Sequence, residues 1–142
     1  MKTAPLKLVL ANTYALYLKT QNYHWNVTGM HFAALHRLFD EQYNELAESV
    51  DEIAEHIRMQ NDLAPGSFNE FQKINKISDA KSNLDAQAMI TDLLESHTLL
   101  LALLEDTLKQ AQIESDEVVA DFMIERMGAH KKHQWMLRSL IA

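Results

Sequence analysis

Among the side chains of the first 55 residues that can bind metal ions through nitrogen or oxygen, five have telling positions: His24, His36, Asp40, Asp51 and Glu55. Four of them lie in FAALHRLFDEQYNELAESVDEIAEHI, a stretch free of Gly and Pro that reads as one helix. His36 and Asp40 are four residues apart, as are Asp51 and Glu55, so each pair occupies adjacent turns of one face. Eleven residues separate Asp40 from Asp51. That is three turns plus about 20°, which keeps both pairs on one stripe. It is also roughly 16 Å along the axis at 1.5 Å per residue. Metal–ligand bonds are about 2 Å long, so no single ion can bridge the two pairs of one helix.

The positions suggest how the gap closes. Residues 36 and 55 share a midpoint with residues 40 and 51, between Glu45 and Leu46. A second copy of this helix laid antiparallel about that midpoint sets His36 against the partner's Glu55 and Asp40 against the partner's Asp51. A two-fold interface generates both clusters at once. Taken singly, each carboxylate reads as a solvated residue on the wet face of an amphipathic helix. The reciprocal spacing and the two histidines favour a metal site shared between two chains.

These five residues, with Trp25 and Asn26 following the first histidine, resemble the Dps family, the mini-ferritins named as DNA-binding proteins from starved cells. The resemblance covers the whole chain, from HWNVTG to the closing WMLRSL. It implies an all-α, ferritin-like four-helix bundle whose long crossover connection carries a short helix. It implies a ferroxidase with two iron ions at each intersubunit site, His24, His36 and Asp40 coming from one chain and Asp51 and Glu55 from its partner, with Glu55 bridging. It further implies oxidation of Fe(II) preferentially by hydrogen peroxide, storage of ferric mineral inside a dodecamer built from two-fold dimers, and protection of the cell from oxidative stress. Trp25 would lie beside the iron and take up stray oxidising equivalents. Asp116, Asp121 and Glu125 would line pores through which Fe(II) enters. The competing reading of those acids is complementation of a helix dipole, strongest at Asp116 and weakest at Glu125.

The elements that must position these residues are four long helices. The first is expected over Pro5–Val27, with proline in its first turn and Gly29 beyond its end. The second runs from His31 to Met59. Pro65-Gly66-Ser67 marks a turn, and Ser67 caps a short helix over Asn69–Lys76. The third long helix runs from its N-cap Asp85 to Gln112, and the fourth from Ser115 or Asp116 nearly to the end. The apolar LKLVLANTYALYL reads as the first turns of a helix rather than a targeting segment. No Glu has a His three residues later, so the Glu-x-x-His pairs of an intrabundle di-iron site are missing. Of the other histidines, His31 falls in a turn, His56 points about 100° from Glu55, His97 reads as a hydrogen-bonded core residue, and His130 and His133 read as surface. Glu41, Glu45, Glu48 and Glu52 could face a mineral cavity or simply water.

Composition narrows the function. A length of 142 residues suits one domain, here spanning 1–142, and the absence of cysteine excludes disulfides and thiolate metal sites. A cytoplasmic location agrees with both. No run approaches the roughly 20 apolar residues of a membrane span. A net charge of −7 opposes general attraction to nucleic acid and favours cations. One lysine precedes Pro5, and Lys131, Lys132 and Arg138 make a short phosphate track. Direct DNA binding is therefore not expected. The rival readings are a non-enzymatic DNA-compacting nucleoid protein, which calls for basic tails, and a structural shell, which would tolerate loss of the ligands.

Overall fold

A computed structural model describes all of residues 1–142. It holds five helices: α1 (Ala4–Asn26), α2 (Phe32–Met59), α3 (Phe68–Ile74), α4 (Ala86–Ile113) and α5 (Glu117–Ser139). The four long helices and the short one agree with the sequence expectation to within a few residues at each end. α1 and α2 pack as one antiparallel hairpin, α4 and α5 as another, and α1 lies against α4.

Local chemistry sets the boundaries. Pro5 sits in the first turn of α1, where its missing N–H costs nothing. Val27 turns extended, and Gly29 at φ +111° supplies the left-handed corner into α2. Ser67 caps α3 by accepting from the Glu70 N–H at 3.2 Å, and its hydroxyl donates to the Glu70 carboxylate at 2.9 Å. Asp85 caps α4 by accepting from the Ala88 N–H at 2.8 Å. Ser115 at φ 57° and the Asp116 cap compress the α4–α5 turn.

The long connection between α2 and α4 runs back along α1, so α2 and α4 start at the same end of the bundle. Polar groups on α1 pin it. The Asn12 side-chain oxygen accepts from the Lys76 and Ile77 N–H groups at 2.7 and 3.0 Å. Lys19, only 1% exposed, reaches Ser78 of the connection as well as Asp92 and Ser96 of α4. Tyr23 donates to Asp92 at 2.6 Å and accepts from the Lys81 N–H at 3.2 Å. Burial of the Tyr23 phenol, aided by that bond to Asp92, pushes its pKa up to about 12. The buried Lys19–Asp92 pair replaces lost hydration with fixed partners.

The apolar core fills the space among the four long helices. Leu6, Leu16, Phe39, Leu46, Ile53, Ile57, Leu93 and Leu100 are fully buried. Each side chain of this size contributes about 1.5–3 kcal/mol on leaving water. This core holds the α1–α2 hairpin rigid, and that hairpin carries all five candidate ligands.

Candidate metal centre

His24 lies in the last turn of α1 and His36 in the first turns of α2, facing each other across the Gly29 corner. The His24 Nδ1 lies 2.6 Å from the His36 carbonyl oxygen, and the His36 Nδ1 lies 2.7 Å from the His24 carbonyl oxygen. A carbonyl only accepts, so both Nδ1 atoms carry the proton. Both Nε2 atoms are then left with a bare lone pair, the tautomer a metal ligand needs. The rings stack with centroids 3.8 Å apart and planes 15° from parallel. Phe32 stacks on the far side of His36 at 5.0 Å, and Tyr43 meets His24 edge-on at 5.3 Å. The imidazoles are locked in place before any ligand arrives.

Asp40 completes this half of the centre. Its Oδ1 is 4.0 Å from the His24 Nε2 and accepts from the Asn44 amide at 3.2 Å. The nearby Asp40 carboxylate raises the Tyr43 pKa above its ordinary value. Tyr43 was not singled out from the sequence. Its position one turn beyond Asp40 on the same face was the available signal.

Asp51 and Glu55 stand apart from this cluster, on the later turns of α2, and both are exposed. The neighbouring Asp51 carboxylate raises the Glu55 pKa above its ordinary value. Two carboxylates crowded on adjacent turns favour a proton or a cation between them. Within one chain no three His, Asp or Glu side chains converge on a point that could hold a metal ion. One chain thus presents two separate groups of candidate donors, and neither alone encloses a metal ion. The donors fit iron chemically, imidazole nitrogen with carboxylate oxygen being a set that suits iron and stabilises its ferric form.

One expectation from sequence is corrected. His130 and His133 are not surface residues: His130 is 1% exposed and the His133 side chain 12%. They turn inward with His97 and Arg126 toward Glu45 of α2. Glu45, a third exposed, is committed to partners within the bundle. It accepts from Arg126 through both oxygens, at 2.5 and 3.1 Å, and lies 2.7 Å from the His133 Nε2. Burial alone would raise the Glu45 pKa, but the bonds from His133 and Arg126 outweigh it and leave it at about 2. The expectation of a core histidine at His97 agrees with the structure. Its Nδ1 lies 2.9 Å from that of His130, and burial drives its pKa down to about 3.

The acids near the start of α5 divide. Asp116 caps the helix, accepting from the Val119 N–H at 3.1 Å and from the Gln60 amide at 2.8 Å. Burial would raise its pKa, but these bonds and the N-terminal ammonium 3.6 Å away lower it. Asp121 and Glu125 are exposed on adjacent turns. Trp25, Met30 and Phe32, near the paired histidines, are 59%, 93% and 44% exposed, which is unusual for large apolar side chains beside a polar cluster. No helix is long and apolar enough to cross a membrane.

Comparison with known proteins accounts for this architecture. Residues 4–142 match a family described as a ferritin-like domain. A low temperature-induced protein of Nostoc sp. is 35% identical over 134 residues, covering 93% of this chain and 75% of its own. "DNA protection during starvation protein 2" of Bacillus anthracis is 31% identical over 132 residues, covering 93% of this chain and 90% of its own. Among solved structures, the Dps protein of Vibrio cholerae O1, described as a member of a broad superfamily of ferritin-like diiron-carboxylate proteins, superposes with a TM-score of 0.93. That match has 30% identity and covers 97% of this chain and 87% of the other. This chain belongs to the ferritin-like family and, within it, to the Dps mini-ferritins.

Proposed function

We propose that this protein is a cytoplasmic ferroxidase and iron store whose site is completed by a second copy of the chain. One observation carries the reading. The α1–α2 hairpin holds two prepared half-sites, His24/His36/Asp40 and Asp51/Glu55, that one chain cannot join. They share a stripe whose midpoint lies between Glu45 and Leu46. An antiparallel two-fold pairing of α2 brings each half to the other half of its partner. The exposed Trp25, Met30 and Phe32 beside the histidines would be covered by the same contact. A dodecamer of such dimers, with mineral inside, is the assembly in keeping with the family.

Iron is the substrate. Two Fe(II) ions at a whole site give one electron each, and hydrogen peroxide takes both: 2 Fe(II) + H2O2 + 2 H+ yields 2 Fe(III) + 2 H2O. The chain's own residues supply ligation and order. His24 and His36 present bare Nε2 atoms fixed by their carbonyl partners, and Asp40 supplies an anionic oxygen beside them. The partner subunit's Asp51 and Glu55 supply the remaining negative charge, which favours the ferric product. Joint removal of Fe(II) and peroxide withholds the reagents of hydroxyl-radical formation, which is the protective role.

The test is complementation between two inactive chains. Asp40→Ala and Asp51→Ala each damage both sites of a pure dimer. In a mixed dimer one site carries both substitutions and the other carries neither. Random pairing makes half of the dimers mixed, each with one of two sites whole. Activity should therefore return to about one quarter of wild type after subunit exchange. Verified exchange with no recovery would show that the site is not shared.

A further inference from the structure

The chain has four tyrosines, and three of them form a row. Tyr43 meets the His24 ring at 5.3 Å. Tyr17 of α1 lies 6.0 Å from Tyr43, and Tyr14 lies 5.5 Å from Tyr17 with rings at 87°. Centroids at these separations put ring edges in contact. The row follows the seam between α1 and α2. It begins against the His24/Asp40 half-site and ends at Tyr14, which lines a cavity of about 480 Å³ together with Asp51. The row thus leads from the first half-site along the seam toward the second, which lies roughly 16 Å further along α2. The fourth tyrosine, Tyr23, is off this row and tied to Asp92.

We propose that Tyr43, Tyr17 and Tyr14 are an electron path joining the two metal sites of a dimer. This rests on the shared-site ferroxidase reading above. In that pairing the two half-sites of one chain belong to different whole sites, so a path along one chain connects both. The chemistry gives the path a use. Peroxide needs two electrons to become two waters, and a site holding a single Fe(II) offers one. One-electron reduction would release hydroxyl radical. With the row intact, the second electron comes from Fe(II) at the other site. Each tyrosine gives up an electron to the acceptor ahead of it and its hydroxyl proton to the surroundings, then takes an electron from the donor behind it, Fe(II) at the far end, and a proton back from the surroundings. The rings return unchanged, and the sum remains 2 Fe(II) + H2O2 + 2 H+ to 2 Fe(III) + 2 H2O.

The test uses the assembled protein loaded without oxygen at less than one Fe(II) per site, then mixed with peroxide and frozen for paramagnetic resonance. Tyr17→Phe keeps the ring and its packing but breaks the path. Wild type should show a transient tyrosyl signal that narrows when the protein is made with ring-deuterated tyrosine. It should consume one peroxide per two irons even at this loading. Tyr17→Phe should consume close to one peroxide per iron, release spin-trappable hydroxyl radical, and hold its radical longer. Tyr14→Phe should behave as Tyr17→Phe does. Normal iron oxidation in wild type with no deuterium-sensitive radical, and identical stoichiometry in both variants, would overturn the path and leave the ferroxidase reading standing. Failure of wild type to oxidise iron with peroxide at full loading would remove both.

Discussion

Two histidine clusters sit in this small bundle, and they are built on opposite logic. The inner one gathers Glu45, His97, Arg126, His130 and His133 from three helices. The outer one gathers His24, His36 and Asp40 at the α1–α2 corner. The inner cluster has more histidines and deeper burial, yet its donors are committed. Arg126 only donates, so the His130 Nε2, 3.4 Å away, accepts. The His130 Nδ1 then donates to the His97 Nδ1, and the His97 Nε2–H is left buried without a partner. Glu45 is already neutralised by a guanidinium. The outer cluster spends its Nδ1 protons on backbone carbonyls and keeps both Nε2 lone pairs free. What separates a candidate metal centre from a structural polar core is therefore the lone pairs left over, not the count of ligand-type residues.

The sharpest way to break this contrast is to remove one side chain from each cluster. His36→Ala or Asp40→Ala should abolish rapid Fe(II) oxidation, a loss of 100-fold or more on the scale of first ligands and their supports. Both should leave helix content and assembly intact, since neither residue is part of the apolar core. His133→Ala should keep the initial oxidation rate within a few-fold and instead lower the midpoint of urea unfolding. Stopped-flow absorbance and circular dichroism separate the two. Near-normal oxidation in His36→Ala together with its loss in His133→Ala would place the chemistry in the inner cluster.

Arg126→Met is the next largest effect. It leaves the Glu45 carboxylate with His133 as its one partner and the buried His130 Nε2 with none. Breaking a buried pair from one side costs about 3–5 kcal/mol, and the partial exposure of Glu45 puts this case at the lower end. Urea titration measures it. A cost under about 1 kcal/mol, the worth of a surface pair, would mean that the inner cluster is solvated.

Much of this was legible in the sequence, for reasons that also explain the exceptions. Long runs without Gly or Pro announced the helices. Asp85 and Ser67 announced their caps, because a cap bonds to residues three positions away. The metal-type stripe on α2 was visible because its geometry repeats within one helix. His130 and His133 were misplaced because their neighbours Lys131 and Lys132 are exposed, and because the partners that draw them inward, Glu45 and His97, lie on other helices. Lys19 was hidden likewise, its partner Asp92 being far along the chain. The tautomers of His24 and His36 depend on carbonyls across the corner, which spacing alone does not supply.

Acid should distinguish the clusters through stability. His97 is neutral when folded, with its pKa lowered by burial to about 3, and His130 is lowered well below 6.5 for the same reason. Unfolded, both titrate near 6.5. Between those values the unfolded chain binds more protons, so stability falls as pH drops from about 6.5. Each histidine adds a slope of up to about 1.4 kcal/mol per pH unit. Glu45, depressed to about 2, contributes a further loss between its unfolded value of 4.5 and 2. Replacing His97 and His130 together with Leu removes the first of these and should flatten the profile between pH 6.5 and 4.5. An unchanged slope in that double variant would mean that these histidines are charged in the fold.

The smallest effect concerns the residues lying between the inner histidines on α5. In His130-Lys131-Lys132-His133 the outer pair of letters turns in and the middle pair turns out. Lys131, Lys132 and Arg138 are exposed and could touch phosphate, but they stand on a chain of net charge −7. Three phosphate contacts would give a salt slope of about −2.7 in log K against log salt. That is weak beside repulsion from the rest of the surface, and an assembly of many copies multiplies the negative charge along with the lysines. We therefore expect no retardation of duplex DNA at neutral pH and physiological salt. Any shift at low salt should fade with this shallow slope and vanish in Lys131→Ala/Lys132→Ala. Sub-micromolar binding at physiological salt, or a slope several times steeper, would mean that basic groups beyond these three act in concert. The outward face of α5 would then be a nucleic-acid surface and not merely the solvated back of the inner cluster.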